Sequence, residues 1–303
     1  MATESFSLVV ANLFVGMLKN HRFLPAAMRV GRLGYSLFRL EPSIIVTDGR
    51  VTPDAIATSA QQAHAVVAEW TADVKLQGRK IQQLAGYAKI DSTDLITYGV
   101  PASEAHAFDV WIVVTPEGVA PYAEHLKEKS YEFALATFRL ATEEKPGYEL
   151  AHARGEFSNS ELSGVLQQTW HLERVPRGYL PFPLDDLADQ ELAESIAQQL
   201  VAFSVLGTEV FTRDDLCRSM VPVWQQLDLT KRDAVARAMT KVLSAWSRRR
   251  RIGDWLKRIQ ADPPTWRLVL PTGLDRDRLR RALRSSLSKV QEDIAAGQDE
   301  FPI

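Results

Sequence analysis

Apolar positions recur along this chain with two periods, and each period marks a different kind of element. Between positions 4 and 20, Phe6, Val9, Val10, Leu13, Phe14, Met17 and Leu18 fall on one helical stripe, which predicts a helix buried against a core. Ser43 to Thr47 reads as a short strand, and Asp48-Gly49 after it is a turn signal. Ala55 to Thr58 and His64 to Thr71 are two β-friendly runs. The small, polar stretch Ser59-Ala60-Gln61-Gln62-Ala63 between them predicts a hairpin turn. A helix is expected over 79–90, with Ile81, Leu84, Ala85 and Ala88 on its buried side. Asp109 to Thr115 is a buried strand, Pro121 to Lys129 a short helix, and Tyr131 to Leu140 another strand. This order of elements suits an α/β (α+β) domain, a mixed sheet flanked by helices.

The pattern loosens over Glu143 to Pro183, where Pro146, Pro176, Pro181 and Pro183 alternate with Gly147, Gly155, Gly164 and Gly178. That stretch reads as peripheral structure ending in a linker near 175–186. A mostly helical module is expected beyond it. Asp189 to Val205 is helical, and Thr212 with Asp215 three residues on forms a capping signal for a helix reaching Met220. Thr230 to Trp246 is a third helix; Arg248 to Arg251, a Pro263-Pro264 loop and a strand from Thr265 to Leu270 follow. Leu274 to Ala296 reads as a last helix before a loose tail. The expected divisions are 1–175, 186–272 and 273–303.

A length of 303 residues allows two ordinary domains, and a net charge of −2 says nothing about partners. The distribution of charge does. Between Lys231 and Arg258 stand ten Lys or Arg against two Asp. Lys231, Arg232, Arg237, Lys241, Arg248, Arg249, Arg250 and Arg251 are the candidate contacts to phosphate, on double-stranded DNA. The single cysteine, Cys217, excludes an internal disulfide framework and a Cys-rich zinc site, and fits a cytoplasmic setting. The histidines show no metal-ligand spacing, and no apolar run reaches membrane-spanning length.

The candidate chemistry lies in the hairpin. With the turn centred between Gln61 and Gln62, residue 58 pairs with 65, 56 with 67 and 54 with 69. Asp54 then faces Glu69 on one side of the sheet. Opposed Cβ atoms lie about 4.5–5.5 Å apart, so two bare carboxylates there repel unless a cation sits between them. A divalent cation with hard oxygen ligands is the natural candidate. Thr71 shares that face. On the following helix Lys80, Gln83 and Tyr87 are spaced i, i+3, i+7 and so share a stripe.

These residues resemble the PD-(D/E)XK, or restriction-endonuclease-like, nuclease superfamily. Pro53-Asp54 matches the PD element, Glu69-Trp70-Thr71 the (D/E)XK element, and Gln83 to Tyr87 the QxxxY element of some branches. The resemblance covers about half the chain. It implies Mg²⁺- or Mn²⁺-dependent DNA cleavage by Asp54 and Glu69, with Lys80, Gln83 and Tyr87 orienting the scissile strand. One departure is clear: Thr71 stands where the family has its lysine. Lys80 is the first candidate to replace it and Lys75 the second. The C-terminal module resembles a winged helix-turn-helix, with the third helix reading DNA and the four arginines at a presumed wing. Such architectures are common in prokaryotic defence and DNA processing. Two alternatives stand beside a live nuclease: a degenerate nuclease fold serving as a DNA-binding or assembly subunit with protein partners, and a winged-helix transcription regulator.

Overall fold

A computed structural model describes residues 5–184, 187, 190–249, 252–269, 278, 279 and 281–283. Two compact units divide the chain: 1–179 with 226–228, and 180–225 with 229–303. The expected tail and most of the expected helix over 274–296 lie outside the described residues, as do Arg250 and Arg251.

The first unit is mixed α/β. Helix α1 (Phe6–Leu18) is capped by the Ser5 side chain, which accepts the Leu8 N–H. The stripe expected on this helix understates its burial: every residue from Val9 to Leu18 is buried. Strands β1 (Ser36–Leu40), β2 (Ile44–Val46), β3 (Gly49–Val51), β4 (Ala55–Ser59) and β5 (His64–Thr71) follow. Then come α2 (Arg79–Tyr87), α3 (Ser92–Tyr98), β6 (Ala107–Val114), α4 (Val119–Glu128), β7 (Ala134–Arg139), β8 (Tyr148–Arg154), α5 (Ser160–Leu166) and β9 (Trp170–Leu172). Seven strands form one sheet in the order β1-β4-β5-β6-β7-β8-β9, and β2 and β3 pair separately. β5, β6 and β7 run parallel, and the remaining neighbours in the sheet are antiparallel.

β5 is buried at all eight positions. A strand covered on both faces needs a layer on each side. On one face α1 sets Phe14 against Trp70 and Trp111, with ring centroids 5.8 and 5.9 Å away. Leu84 and Tyr87 of α2 and Tyr122 and Leu126 of α4 join Val67, Ile112 and Val114 in a cluster of buried side chains.

The hairpin has the register read from the sequence: Thr58 pairs with Ala65 and Ile56 with Val67. Elsewhere the sequence reading needs correction. The helix expected over 79–90 stops at Tyr87, and a separate helix, α3, starts at Ser92 under a capping box made by Asp91 and Asp94. The segment read as irregular over 143–183 supplies β8 and β9, one edge of the sheet. Its glycines punctuate strands rather than dissolve them. Gly155 ends β8 at φ +77°, and a Cβ there would collide with the Phe133 carbonyl oxygen, so only glycine fits.

At the start of β5 a buried histidine ties three elements together. His64 Nδ1 lies 2.9 Å from the Tyr35 hydroxyl, and Nε2 lies 2.9 Å from Asp109 Oδ2. Both nitrogens are used, as a satisfied core imidazole requires. Replacing His64 by leucine would leave the Tyr35 hydroxyl buried without its partner. We expect a stability loss of about 1–3 kcal/mol, the cost of one such group. Urea unfolding checks it, and a loss below about 0.5 kcal/mol would contradict it.

In the second unit α6 (Gln190–Leu206) leads to β10 (Val210–Thr212), α7 (Arg213–Met220), α8 (Leu229–Ser247), β11 (Leu256–Gln260) and β12 (Thr265–Leu268). Thr212 and Asp215 form the capping box of α7. The three strands pair in the order β10-β12-β11. Phe211 stacks on Trp266 at 6.3 Å and meets Phe203 at 5.1 Å, fixing the sheet to α6. The sequence reading had only β12. β10 is a three-residue strand and β11 is exposed at four of its five positions, so neither carries a strong apolar signal. Among the described residues no helix is long and apolar enough to cross a membrane.

Candidate functional site

Asp54 precedes β4 directly, and Glu69 lies two residues before the end of β5. The pairing of Ala55 with Ala68, carried one residue further, sets Asp54 across from Glu69. The two groups are satisfied differently. Asp54 Oδ2 accepts the Trp70 N–H at 2.6 Å. Glu69, 3 % exposed, receives Lys80 Nζ on Oε1 at 2.8 Å and the Tyr87 hydroxyl on Oε2 at 2.5 Å.

The helix brings these donors in as its spacing required. Lys80 enters from the first turn of α2 with 25 % of its side chain exposed. Gln83 Nε2 lies 2.5 Å from the Tyr87 hydroxyl and 3.3 Å from the Thr52 carbonyl oxygen. That carbonyl, 3.2 Å from the Tyr87 hydroxyl as well, had no signal in the sequence. Gly86 lets the helix come close, because a Cβ there would run into Val51 of β3.

Burial dominates the electrostatics. It pushes the Asp54 carboxyl well above its usual range, the Glu69 and Glu41 carboxylates push it further, and the Trp70 N–H and Lys80 oppose them. Glu69 is raised by burial as well, against Lys80, Tyr87 and Gln83. Glu41 is a third negative charge that the sequence reading missed. It follows β1 and its N–H bonds to the Asp54 carbonyl oxygen at 2.8 Å, a juxtaposition only the sheet creates. Among the described residues no three His, Cys, Asp or Glu side chains are grouped to hold a metal ion. The donor set that remains is two hard carboxylates, with Glu69 raising the proton affinity of Asp54. That set fits Mg²⁺ or Mn²⁺, which use one or two carboxylates and complete their shell with water and phosphate oxygens.

Tyr87 is 1 % exposed and its hydroxyl donates to Glu69, and Gln83 reaches the same hydroxyl. Lys75 is exposed in the segment between β5 and α2. Thr71 keeps its side chain at the end of β5, 5 % exposed, accepting the Asp73 N–H at 3.2 Å.

No family model matches the chain, and no curated protein or solved structure matches it. What these side chains do is therefore argued from their own geometry.

Lys231 Nζ donates to the Leu184 carbonyl at 3.0 Å and Arg232 to Gln225 at 3.4 Å, so both are tied to their own fold. Arg237 and Lys241 are exposed, one turn apart on α8, and Arg248 is exposed just past its end. Arg248 and Arg249 follow α8 directly, outside the β11–β12 hairpin, which turns at 261–264. The hairpin carries a pair the sequence reading left out of its site. Lys257 of β11 and Arg267 of β12 are register partners, and both are exposed. An outward arginine between two buried residues, Trp266 and Leu268, was the available signal.

Proposed function

We propose that the chain is a divalent-metal-dependent deoxyribonuclease of restriction-endonuclease-like type, with its lysine supplied by the helix after the motif strand. The observation that carries this reading is Lys80 Nζ at 2.8 Å from Glu69 Oε1, beside Asp54, whose carboxyl Glu69 holds raised. Asp54 and Glu69 would hold Mg²⁺ or Mn²⁺, which supplies Lewis-acid charge and acidifies a bound water. Lys80 places a mobile positive charge where a phosphorane would form, and such charge is worth most in a dry site. Tyr87 and Gln83 fix the Glu69 rotamer. The second unit, read as a winged helix-turn-helix, would hold duplex DNA through Arg237, Lys241, Lys257 and Arg267. The element order α6-β10-α7-α8-β11-β12, with the strands paired as β10-β12-β11, supports that reading.

A second reading has its own support. Both Glu69 oxygens and one Asp54 oxygen already have protein partners, as in a degenerate site that only binds DNA or a protein partner. Incubation of the purified protein with linear and supercoiled DNA and Mg²⁺ or Mn²⁺, beside Asp54→Ala, decides between them. We expect cutting by the wild type that Asp54→Ala abolishes. Cutting that survives Asp54→Ala refutes the site. No cutting with either ion, together with tight salt-sensitive binding, establishes the degenerate reading. Arg237→Ala with Lys241→Ala should weaken binding across sequences and reduce the salt slope by about 2.

A further inference from the structure

A cleft of about 270 Å³ opens on the first unit, lined by Phe23, Tyr148, Glu173, Arg174, Val175 and Arg177. It is distinct from the Asp54–Glu69 site. Tyr148 stacks on Phe138, whose ring meets Phe6 of α1, so the cleft lies on the side of the sheet that α1 covers. Lys80 and Tyr87 reach Glu69 from α2, on the other side.

Both walls of the cleft are held in place. On one, Phe23 is 47 % exposed, yet the backbone around it is clamped. Arg29 donates to the Arg22 carbonyl at 3.0 Å and to the Leu24 carbonyl at 2.9 Å. Arg22 Cζ lies 5.2 Å from the centroid of the Phe23 ring, within cation–π range. On the other wall the chain leaves β9 and packs on α1, where Gly16 makes room for Pro176. Arg177 donates to the hydroxyl of the buried Tyr148 at 3.2 Å. Arg174 is exposed and has no ion-pair partner among the described residues. A half-exposed ring on so fixed a backbone gains little from burial in the core.

The lining specifies what a ligand must carry. Two guanidinium groups against one carboxylate call for an anion, and the planar fork of arginine matches phosphate oxygens in pairs. Phe23 and Val175 offer an apolar surface to a flat ring. Glu173, when ionised, only accepts hydrogen bonds, so it calls for a donor such as a sugar hydroxyl or a base amino group. A nucleotide supplies all three in one molecule. The volume falls just below the roughly 300–1,000 Å³ of clefts that enclose drug-sized ligands, which suits a single nucleotide unit.

We infer that this cleft binds one nucleoside monophosphate unit, with the phosphate on Arg174 and Arg177 and the base against Phe23. A free nucleotide and the phosphorylated end of a single strand carry the same chemistry. Such binding needs neither a metal ion nor bond cleavage, so it stands apart from the nuclease reading.

Calorimetric titration of the full chain in EDTA tests it, with deoxyadenosine 5′-monophosphate, 5′-phosphorylated tetradeoxyadenylate and inorganic phosphate as probes. We expect both nucleotides to bind the wild type, and inorganic phosphate to bind about 10-fold more weakly or worse. Arg174→Ala and Phe23→Ala should each weaken nucleotide binding about 10-fold or more. Arg174→Ala should leave the melting temperature unchanged, because its side chain is exposed. Tighter binding of the tetranucleotide that Arg174→Ala removes assigns the cleft to a strand end. Equal or weaker binding of the tetranucleotide assigns it to a free nucleotide. Three results overturn the assignment: neither nucleotide binds, inorganic phosphate binds as tightly as they do, or both substitutions leave their affinity at the wild-type level. Because EDTA removes the metal ion, none of these results bears on cleavage, and a failed cutting assay leaves the cleft untouched.

Discussion

Lys80→Met is expected to reduce DNA cleavage by about 10²–10³-fold while salt-sensitive binding to duplex DNA stays at the wild-type level. Loss of one well-placed electrostatic partner costs an active site about that much. Binding is unaffected because the exposed cations proposed to hold duplex DNA belong to the second unit. The substitution has a second, independent signature. Lys80 is the only ammonium bonded to Glu69 among the described residues, and Glu69 is 3 % exposed. Removing one partner of a buried pair leaves the other uncompensated. With the lysine 25 % exposed and partly screened, the expected loss is about 2–4 kcal/mol at neutral pH. Lys75→Met, in the exposed stretch before α2, should change neither quantity. Loss of cutting in Lys75→Met with full activity in Lys80→Met would transfer the role to Lys75 and end the case for a helix-borne lysine.

Asp54→Asn is expected to do the opposite to stability: it should melt higher than the wild type at neutral pH and cut nothing. Asp54 has its folded pKa raised well above the unfolded value by burial and by two neighbouring carboxylates. The folded state therefore holds this proton more tightly than the unfolded chain. The stability it contributes is fully present below about pH 4, the unfolded pKa, and is lost as pH rises through the folded pKa. Asparagine keeps an acceptor for the Trp70 N–H and carries no charge. Its advantage at pH 7 should be about 2–4 °C per kcal/mol relieved, and should shrink toward pH 4. Mg²⁺ or Mn²⁺ should raise the melting temperature of the wild type at pH 7 and leave that of Asp54→Asn alone. A variant that melts lower than the wild type at pH 7 would contradict this account. So would one with the same metal response.

How much of this was legible in the sequence depended on whether the cause was local. The turn between Gln61 and Gln62 fixes which residues of the hairpin meet, so the Asp54–Glu69 opposition was available from spacing alone. The i, i+3, i+7 stripe placed Lys80, Gln83 and Tyr87 together for the same reason. Spacing did not reveal which of the three would be buried. Tyr87 faces the core because α2 packs on Val51 and Ile112's layer, which no local pattern specifies. Glu41 and the Thr52 carbonyl come from separate elements that only the sheet brings together. β8 and β9 were hidden by their flanking glycines and prolines. The alternation in Tyr148, Leu150 and their half-buried neighbours was present, but punctuation outweighed it.

The unequal exposure of the two partners in the Lys80–Glu69 pair has a kinetic consequence. The carboxylate is walled in by two layers of the fold, whereas the ammonium sits on a flexible stem that reaches solvent. Such a stem changes rotamer within nanoseconds or faster, and no backbone has to move for it to do so. The pair can therefore part in one way only, with the lysine leaving. Any group that takes over Glu69 Oε1 must first displace this side chain. The same residue is then the latch on the carboxylate and, on the proposed reading, the charge that a phosphate would meet there.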